Sequence, residues 1–333
     1  MCLEEGPFRD RLEASGYRVE VTPAGRRLGL IAGAVRLRRV LRRQRPDVVH
    51  ANGVKAALVA TMATVLMRVP VIWVKHDLSW DGRLGRLVAS RCRMVVGVSQ
   101  ATIEAFGSRR NVEARVVPNG LPDALFERPP TTDALNELVG GSGRTPVVAL
   151  VGRLHPAKGQ LELVEAASAV RRERPEVRFL LVGGEDPTQA EYARALRQRV
   201  TQLGLGDAVV FVSHREDVPA LLASCRVLAV PSGPDERGMG REGFGLAGVE
   251  AMAVGTPVVG YADGALPEVL GECALLVAPG DRTALAAALV DLLADDELHG
   301  RLAACGRRRA ASRYRLSTTV AAMRRSYLDA LHR

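Results

Sequence analysis

Val147-Val148-Ala149-Leu150-Val151-Gly152-Arg153-Leu154-His155-Pro156-Ala157-Lys158-Gly159-Gln160 is the stretch that decides the fold. Its first five residues are apolar at both odd and even positions, as a strand buried on both faces must be. Gly152 lets the chain turn sharply, and Gln160–Arg174 continues with helical periodicity. Strand, glycine turn and helix together are the opening of a parallel βαβ unit. Arg153 and Lys158 put two cations in that turn, beside a helix N-terminus. A guanidinium fork, an ammonium point charge and free helix N–H groups suit a diphosphate. Without a ligand, the same two residues read as surface cations of an ordinary strand–helix loop.

Outward from this stretch the pattern repeats. Strands are expected at Val19–Val21, Val48–His50, Val71–Val74, Met94–Val98 and Arg115–Val117, then at Val147–Val151, Arg178–Val182, Val209–Val212, Val227–Val230, Pro257–Gly260 and Ala274–Val277. Helical stretches such as Ala32–Gln44, Gln160–Arg174 and Ala190–Gly204 lie between them. The chain therefore reads as α/β twice, with two doubly wound domains and ligands at the carboxyl ends of the strands. The Pro-, Thr- and Gly-rich segment 127–144 reads as the linker. Domains are expected over 1–128 and 129–313, with a final helix, around Leu316–Leu331, returning to the N-terminal domain.

Composition narrows the function classes. The 333 residues are about two domains of chain, and 47% hydrophobic against 25% charged residues excludes global disorder. The longest uncharged apolar stretch, Ala56–Met67, is too short to span a bilayer. Glu4, Glu5 and Arg9 fall where a signal sequence would need an apolar core, so a cytoplasmic chain is expected. The five cysteines are far apart and form no C-x-x-C pair, which predicts free core thiols and no disulfide or metal framework. The net charge of +9 is nearly all arginine, Lys55, Lys75 and Lys158 being the only lysines. With 4% aromatic residues there is little to stack bases on, and nucleic acid is not an expected partner.

A second informative stretch is Glu242-Gly243-Phe244-Gly245-Leu246-Ala247-Gly248-Val249-Glu250. It reads as a Gly-rich loop entering a helix near Phe244 that ends at Gly255, with Pro257 beyond. The two carboxylates are roughly 10 Å apart along such a helix, a spacing for two parts of one extended ligand rather than a shared metal. Each carboxylate can accept two sugar hydroxyls, and the helix N–H groups between them would face phosphates.

The G-R-L-x3-K-G and E-x7-E stretches, in this order, resemble the retaining GT-B glycosyltransferases of family GT4. Further matching pieces are His50-Ala51-Asn52-Gly53, Lys75-His76-Asp77, Val98-Ser99-Gln100, Pro118-Asn119-Gly120, His214–Pro219, Pro231-Ser232 and Leu266-Pro267-Glu268. The resemblance implies two Rossmann-like domains facing a central cleft, and transfer of a sugar from a nucleotide-sugar to an acceptor hydroxyl with retention. No D-x-D pair occurs in the sequence, so no metal or other cofactor is expected. It implies that Gly152, Arg153 and Lys158 bind the donor diphosphate and that Glu250 binds the ribose. Glu242 with Gly243, Phe244, Gly245 and Leu246 would hold the transferred sugar, and the loop with Arg215 would border the base. His76 would approach sugar and acceptor; its other reading is a satisfied core histidine. Sugar, lipid-linked or other hydroxyl acceptors are implied, in glycan or cell-envelope biosynthesis; the basic N-domain surface by its charge offers a peripheral membrane contact. Asp263-Gly264-Ala265 departs from the family's usual Gly-Gly before Leu-Pro-Glu.

Two other stretches carry a functional pattern. Gly238-Met239-Gly240-Arg241-Glu242-Gly243 satisfies G-x-G-x-x-G, but it does not directly follow a strand as a dinucleotide fingerprint must. Arg26–Arg45 is basic and amphipathic; an anionic membrane would suit it, although packing on the sheet through Leu30, Leu37 and Leu41 is the preferred reading. Cys2–Phe8 resembles the loop after a family member's second strand. The opening strand, Gly-rich loop and helix are then missing, so a chain starting at Met1 is expected to be poorly soluble or nearly inactive. The alternative kept on this ground is a non-catalytic sugar-nucleotide-binding relative; a GT-B sugar-nucleotide epimerase is a third alternative, against which the G-R-L-x3-K-G and E-x7-E pair argues.

Overall fold

All five residues of Val71–Lys75 are buried, as a strand must be when helices cover both faces of its sheet. The computed structural model describes residues 7–22, 27–107, 112–127, 134–140, 145–234, 238 and 240–332. The chain divides into two compact units, Met1–Val117 with Ala321–Arg333, and Pro118–Val320.

In the first unit the parallel strands β1 (Val49–Asn52), β2 (Val71–Lys75), β3 (Met94–Gly97) and β4 (Ala114–Val116) lie in sequence order. Side chains alternate across this sheet with period two. Val71, Trp73 and Val95 pack with Ala57, Ala60, Val88, Ala89, Ile103 and Phe106 of the intervening helices. Ile72, Val74, Met94 and Val96 pack with Ala322, Met323, Tyr327 and Ala330 of the last helix, Leu316–Leu331. The helix Arg27–Gln44 uses Leu30, Leu37 and Leu41 as its apolar seam, against Val59 and Ala63 among others.

The second unit holds β5 (Val147–Val151), β6 (Arg178–Val182), β7 (Val209–Val212), β8 (Val227–Val230), β9 (Val258–Tyr261) and β10 (Ala274–Val277). All are parallel, in the order β10-β9-β8-β5-β6-β7. From β5 the chain winds outward through β6 and β7, then returns to place β8 on the other side. The crevice between β5 and β8 is thus the topological switch point, where such sheets bind ligands.

Three sequence expectations are corrected or fall outside this description. Val19–Val21 forms no ladder strand; Val21 is an isolated bridge residue, and Pro23 in the sequence has no N–H to extend the run. Cys273 and Cys305 are not free thiols but a disulfide across 32 residues. The turn Gly271–Cys273 packs on the helix Asp296–Arg313 and brings them together. Among the described residues Cys92 and Cys225 are free and buried, with burial pushing each thiol up to about 12. The expected linker contains a helix, Ala134–Val139; its parts 128–133 and 141–144 lie outside the described residues, as does the opening segment 1–6.

Candidate active site

β5 and β8 pair directly, Val148 beside Val227 and Ala149 beside Leu228, so the loops that leave their carboxyl ends start side by side. After β5, Gly152 N–H donates to the Val182 carbonyl at 2.8 Å and Leu154 N–H to that of Gly184 at 2.9 Å. The chain then makes a 3-10 turn, Pro156–Lys158, in which His155 Nδ1 accepts the Ala157 N–H at 3.1 Å. Gly159 follows at φ +74, and a Cβ there would lie 2.0 Å from the Pro231 carbonyl oxygen, just past β8. Only glycine permits that backbone conformation at so close an approach.

The contact between the two loops ends in chemistry. Lys158 Nζ donates to Glu242 Oε2 at 2.8 Å, joining residues 84 positions apart. Both side chains are only partly open to solvent, at 31% and 15%, so the pair is less screened than a surface ion pair. Glu242 is also fixed through its backbone. Its carbonyl accepts the Ala265 N–H at 2.8 Å, and a Cβ on Gly264 would come within 2.3 Å of that oxygen. Asp263, next to it, accepts from Arg241 Nε at 2.8 Å through Oδ1, while its buried Oδ2 has no partner.

Gly243, Phe244 and Gly245 are buried and lead into the helix Leu246–Val254. Phe244 meets Tyr314 edge to face at 5.4 Å between ring centres, and the Tyr314 hydroxyl donates to the Val269 carbonyl at 2.9 Å. Gly245 is the left-handed N-cap and provides no side-chain cap, so the first-turn N–H groups carry the positive end of the helix dipole toward this crevice. Glu250 sits on the second turn. Burial pushes its carboxyl up to about 7, and none of the described side chains hydrogen-bonds or ion-pairs with it.

The other expected residues are placed as follows. Arg153 is 64% exposed and donates to Asp186 Oδ2 at 3.0 Å. Hydrogen bonds from the Thr188 hydroxyl and N–H, assisted by Arg153, hold the Asp186 carboxyl below its usual range. Arg215, after β7, forms a two-pronged ion pair with Asp217 at 2.7 Å on each prong, which raises the one pKa and lowers the other. The Lys158–Glu242 group is not its partner. His76 belongs to the first unit, at the carboxyl end of β2, where its Nε2 bonds Asn52 Oδ1 beside the end of β1. Burial lowers its pKa, with Asp77 opposing. Lys75 is fully buried beneath it, bonded to the Asp77 carbonyl and paired with Asp81 at 3.0 Å, which ties down the loop that carries His76. Among the described residues no three His, Cys, Asp or Glu side chains converge as a metal site would require.

Sequence reasoning missed Gln160. It is 0% exposed, its Nε2 donates to the carbonyls of Arg153 at 2.8 Å and Gly152 at 3.4 Å, and its Oε1 accepts the Tyr192 hydroxyl at 3.2 Å. The signal was present: position 160 falls on the buried stripe with Leu163, Val164, Ala167 and Val170, where a polar residue needs a reason. Gln160→Leu should lower stability by about 1–3 kcal/mol, because two loop carbonyls and a tyrosine hydroxyl lose a buried partner. Urea unfolding measures this, and an unchanged midpoint would show that the loop does not depend on the amide.

The chain matches two family models, Glycosyltransferase Family 4 over residues 3–125 and Glycosyl transferases group 1 over residues 145–295. It is 31% identical to the D-inositol 3-phosphate glycosyltransferase of Stackebrandtia nassauensis, over 86% of this chain and 69% of that one. It is also 31% identical to the 2-deoxystreptamine N-acetyl-D-glucosaminyltransferase of Streptomyces fradiae, over 87% and 76% of the two chains. Among solved structures, HepE of Anabaena in complex with UDP and glucose superposes with a TM-score of 0.85 at 28% identity, covering 98% of this chain and 90% of that one. Two parallel α/β units, a strand–glycine–helix loop at the switch point and these likenesses agree: the chain belongs to the family 4 glycosyltransferases, with the GT-B fold.

Proposed function

We propose that the chain transfers a hexose from a nucleotide-sugar to an acceptor hydroxyl with retention at the anomeric carbon and without a divalent metal. The observation that carries this is the Lys158–Glu242 contact at the switch point, beside an uncapped helix N-terminus. Lys158 and the first-turn N–H groups would meet the diphosphate, and Arg153 would join them by leaving Asp186. Glu242 and the Gly243–Leu246 loop would hold the sugar, Glu250 the ribose, and Arg215 the edge of the base. His76 keeps the role toward sugar and acceptor that the resemblance gives it.

The chemistry follows from the donor. The bond from the anomeric carbon to the diphosphate oxygen breaks, and the acceptor oxygen forms its bond on the same face. The departing diphosphate oxygen takes the acceptor's proton, so no protein base is required. Charge grows on the diphosphate as that bond lengthens, which is what fixed cations and helix N–H groups stabilise best. The relatives' names support polyol and sugar acceptors, and one names a phosphatidylinositol mannoside, from Mycolicibacterium smegmatis at 29% identity.

Release of nucleoside diphosphate from a panel of UDP-, GDP- and ADP-hexoses, with the anomeric configuration of the product read by NMR, tests this function. No release from any of them, or inversion, would contradict it. Activity should also persist in EDTA, since fixed cations would take the place a metal has in other transferases. A loss restored by Mg²⁺ or Mn²⁺ would overturn that part.

A further inference from the structure

The first unit has a second charged feature, at the end of its sheet away from His76. Two adjoining cavities of about 500 and 670 Å³ share Asp47, Met67, Arg68 and Val69 in their walls. They lie where β2 and β3 begin, at Val71 and beside Arg93. Five arginines line them, Arg42 and Arg45 in one, Arg91 and Arg93 in the other, and Arg68 in both. Asp47 is the one carboxylate among the lining residues.

None of these five guanidinium groups has a hydrogen-bond or ion-pair partner among the described residues, whereas Arg153, Arg171, Arg199, Arg215 and Arg282 each hold a carboxylate. Arg93 Nε is buried and unsatisfied, a state that costs free energy unless something completes it. Helix ends explain part of the pattern. Arg42 and Arg91 stand in the last turns of Arg27–Gln44 and Arg83–Arg91, where the dipole favours a cation. Arg68 and Arg93 lie in the connections before β2 and β3, outside any helix, so that account does not reach them. Five like charges around one groove repel each other until an anion enters.

We propose that this groove binds a phosphate-bearing anion, with Arg68 and Arg93 at its centre and Arg42, Arg45 and Arg91 around them. Guanidinium forks match pairs of phosphate oxygens, and the cavities are large enough for a phosphate together with what it is attached to. The proposal is independent of the donor site, since it involves none of the residues assigned there. The phosphate could come from a lipid headgroup or from a soluble ion, and the test separates the two.

The full chain and an R42Q/R68Q/R91Q variant would be titrated with inorganic phosphate. Both would also be titrated with equimolar phosphatidylcholine–phosphatidylglycerol vesicles, with pure phosphatidylcholine vesicles as blank. All three arginines are exposed and unpaired, so the variant should keep its thermal midpoint; if it does not, R68Q alone replaces it. The wild type should bind one of the two probes, and the variant should bind that probe at least about tenfold more weakly. Loss on the vesicles identifies a lipid source, and loss on inorganic phosphate a soluble one. A control, R36Q/R39Q/R43Q, removes the same charge from the helix Arg27–Gln44 outside the cavity walls. Failure of the wild type to bind either probe, or equal weakening in the two triple variants, would overturn the proposal.

Discussion

Lys158→Ala should lower kcat by about 10²–10³-fold, the range seen when one preorganised donor to developing charge is removed. The ammonium is assigned to the departing diphosphate, where charge grows between ground and transition state, so kcat should suffer more than donor KM. The substitution also leaves the Glu242 carboxylate, 15% exposed, without its cation. A Glu242→Gln variant separates the two effects. It removes the ion pair but keeps Lys158, and should slow sugar transfer while leaving nucleoside diphosphate affinity nearly intact. Steady-state kinetics and calorimetry on both variants read this directly. If Lys158→Ala turned over the preferred donor near the wild-type rate, Lys158 would be a structural partner of Glu242 and nothing more.

Glu250→Gln should act in opposite directions on stability and on binding. The carboxyl sits near 7 in the folded chain, against an ordinary value of 4.5, because burial disfavours its charged form. Between those two values the unfolded chain gives up the proton and the folded chain keeps it, so stability falls as pH rises through this window and levels off above it. The cost at about pH 8 is on the order of 3 kcal/mol. Glutamine, which cannot ionise, should recover most of that at about pH 8 and make little difference at about pH 4. Binding should go the other way. A charged acceptor for two ribose hydroxyls is worth about 1.5–3 kcal/mol per bond, so nucleoside diphosphate affinity should drop at least about tenfold. Wild-type affinity should rise as pH increases through 7, with proton release on binding. Flat affinity between about pH 6 and pH 8 would show that the ionised Glu250 does not meet the nucleotide.

How far the sequence could be read depended on whether the relevant force was local. The strands Val147–Val151 and Arg178–Val182 were legible to the residue, because a strand buried on both faces announces itself as a short apolar run. The helix Leu246–Val254 was legible from its glycine boundaries, both of which are left-handed caps. Val19–Val21 has the same composition as a strand but forms none, since ladder pairing needs a neighbour that three residues cannot specify. The Lys158–Glu242 contact was not legible, because 84 residues separate its partners; the resemblance gave the two residues separate roles, one toward the diphosphate and one toward the sugar. The disulfide was invisible for the same reason: Cys273 and Cys305 meet because a turn packs on a helix, not because of any spacing. The unpaired burial of Glu250 is likewise a property of packing, and no pattern of residues around position 250 reports it.

The measurement closest to the central claim is hydrogen–deuterium exchange of the chain with and without the nucleoside diphosphate of its preferred donor. Bound diphosphate should occupy the N–H groups at the start of Leu246–Val254 and tighten the loop from Gly152 to Gly159. Peptides spanning 152–160 and 243–250 should therefore slow by about tenfold or more, with smaller changes in the remaining strands of the six-stranded sheet. Protection confined to other segments, with both of these loops exchanging as in the free chain, would contradict the placement of the donor at the β5–β8 switch point.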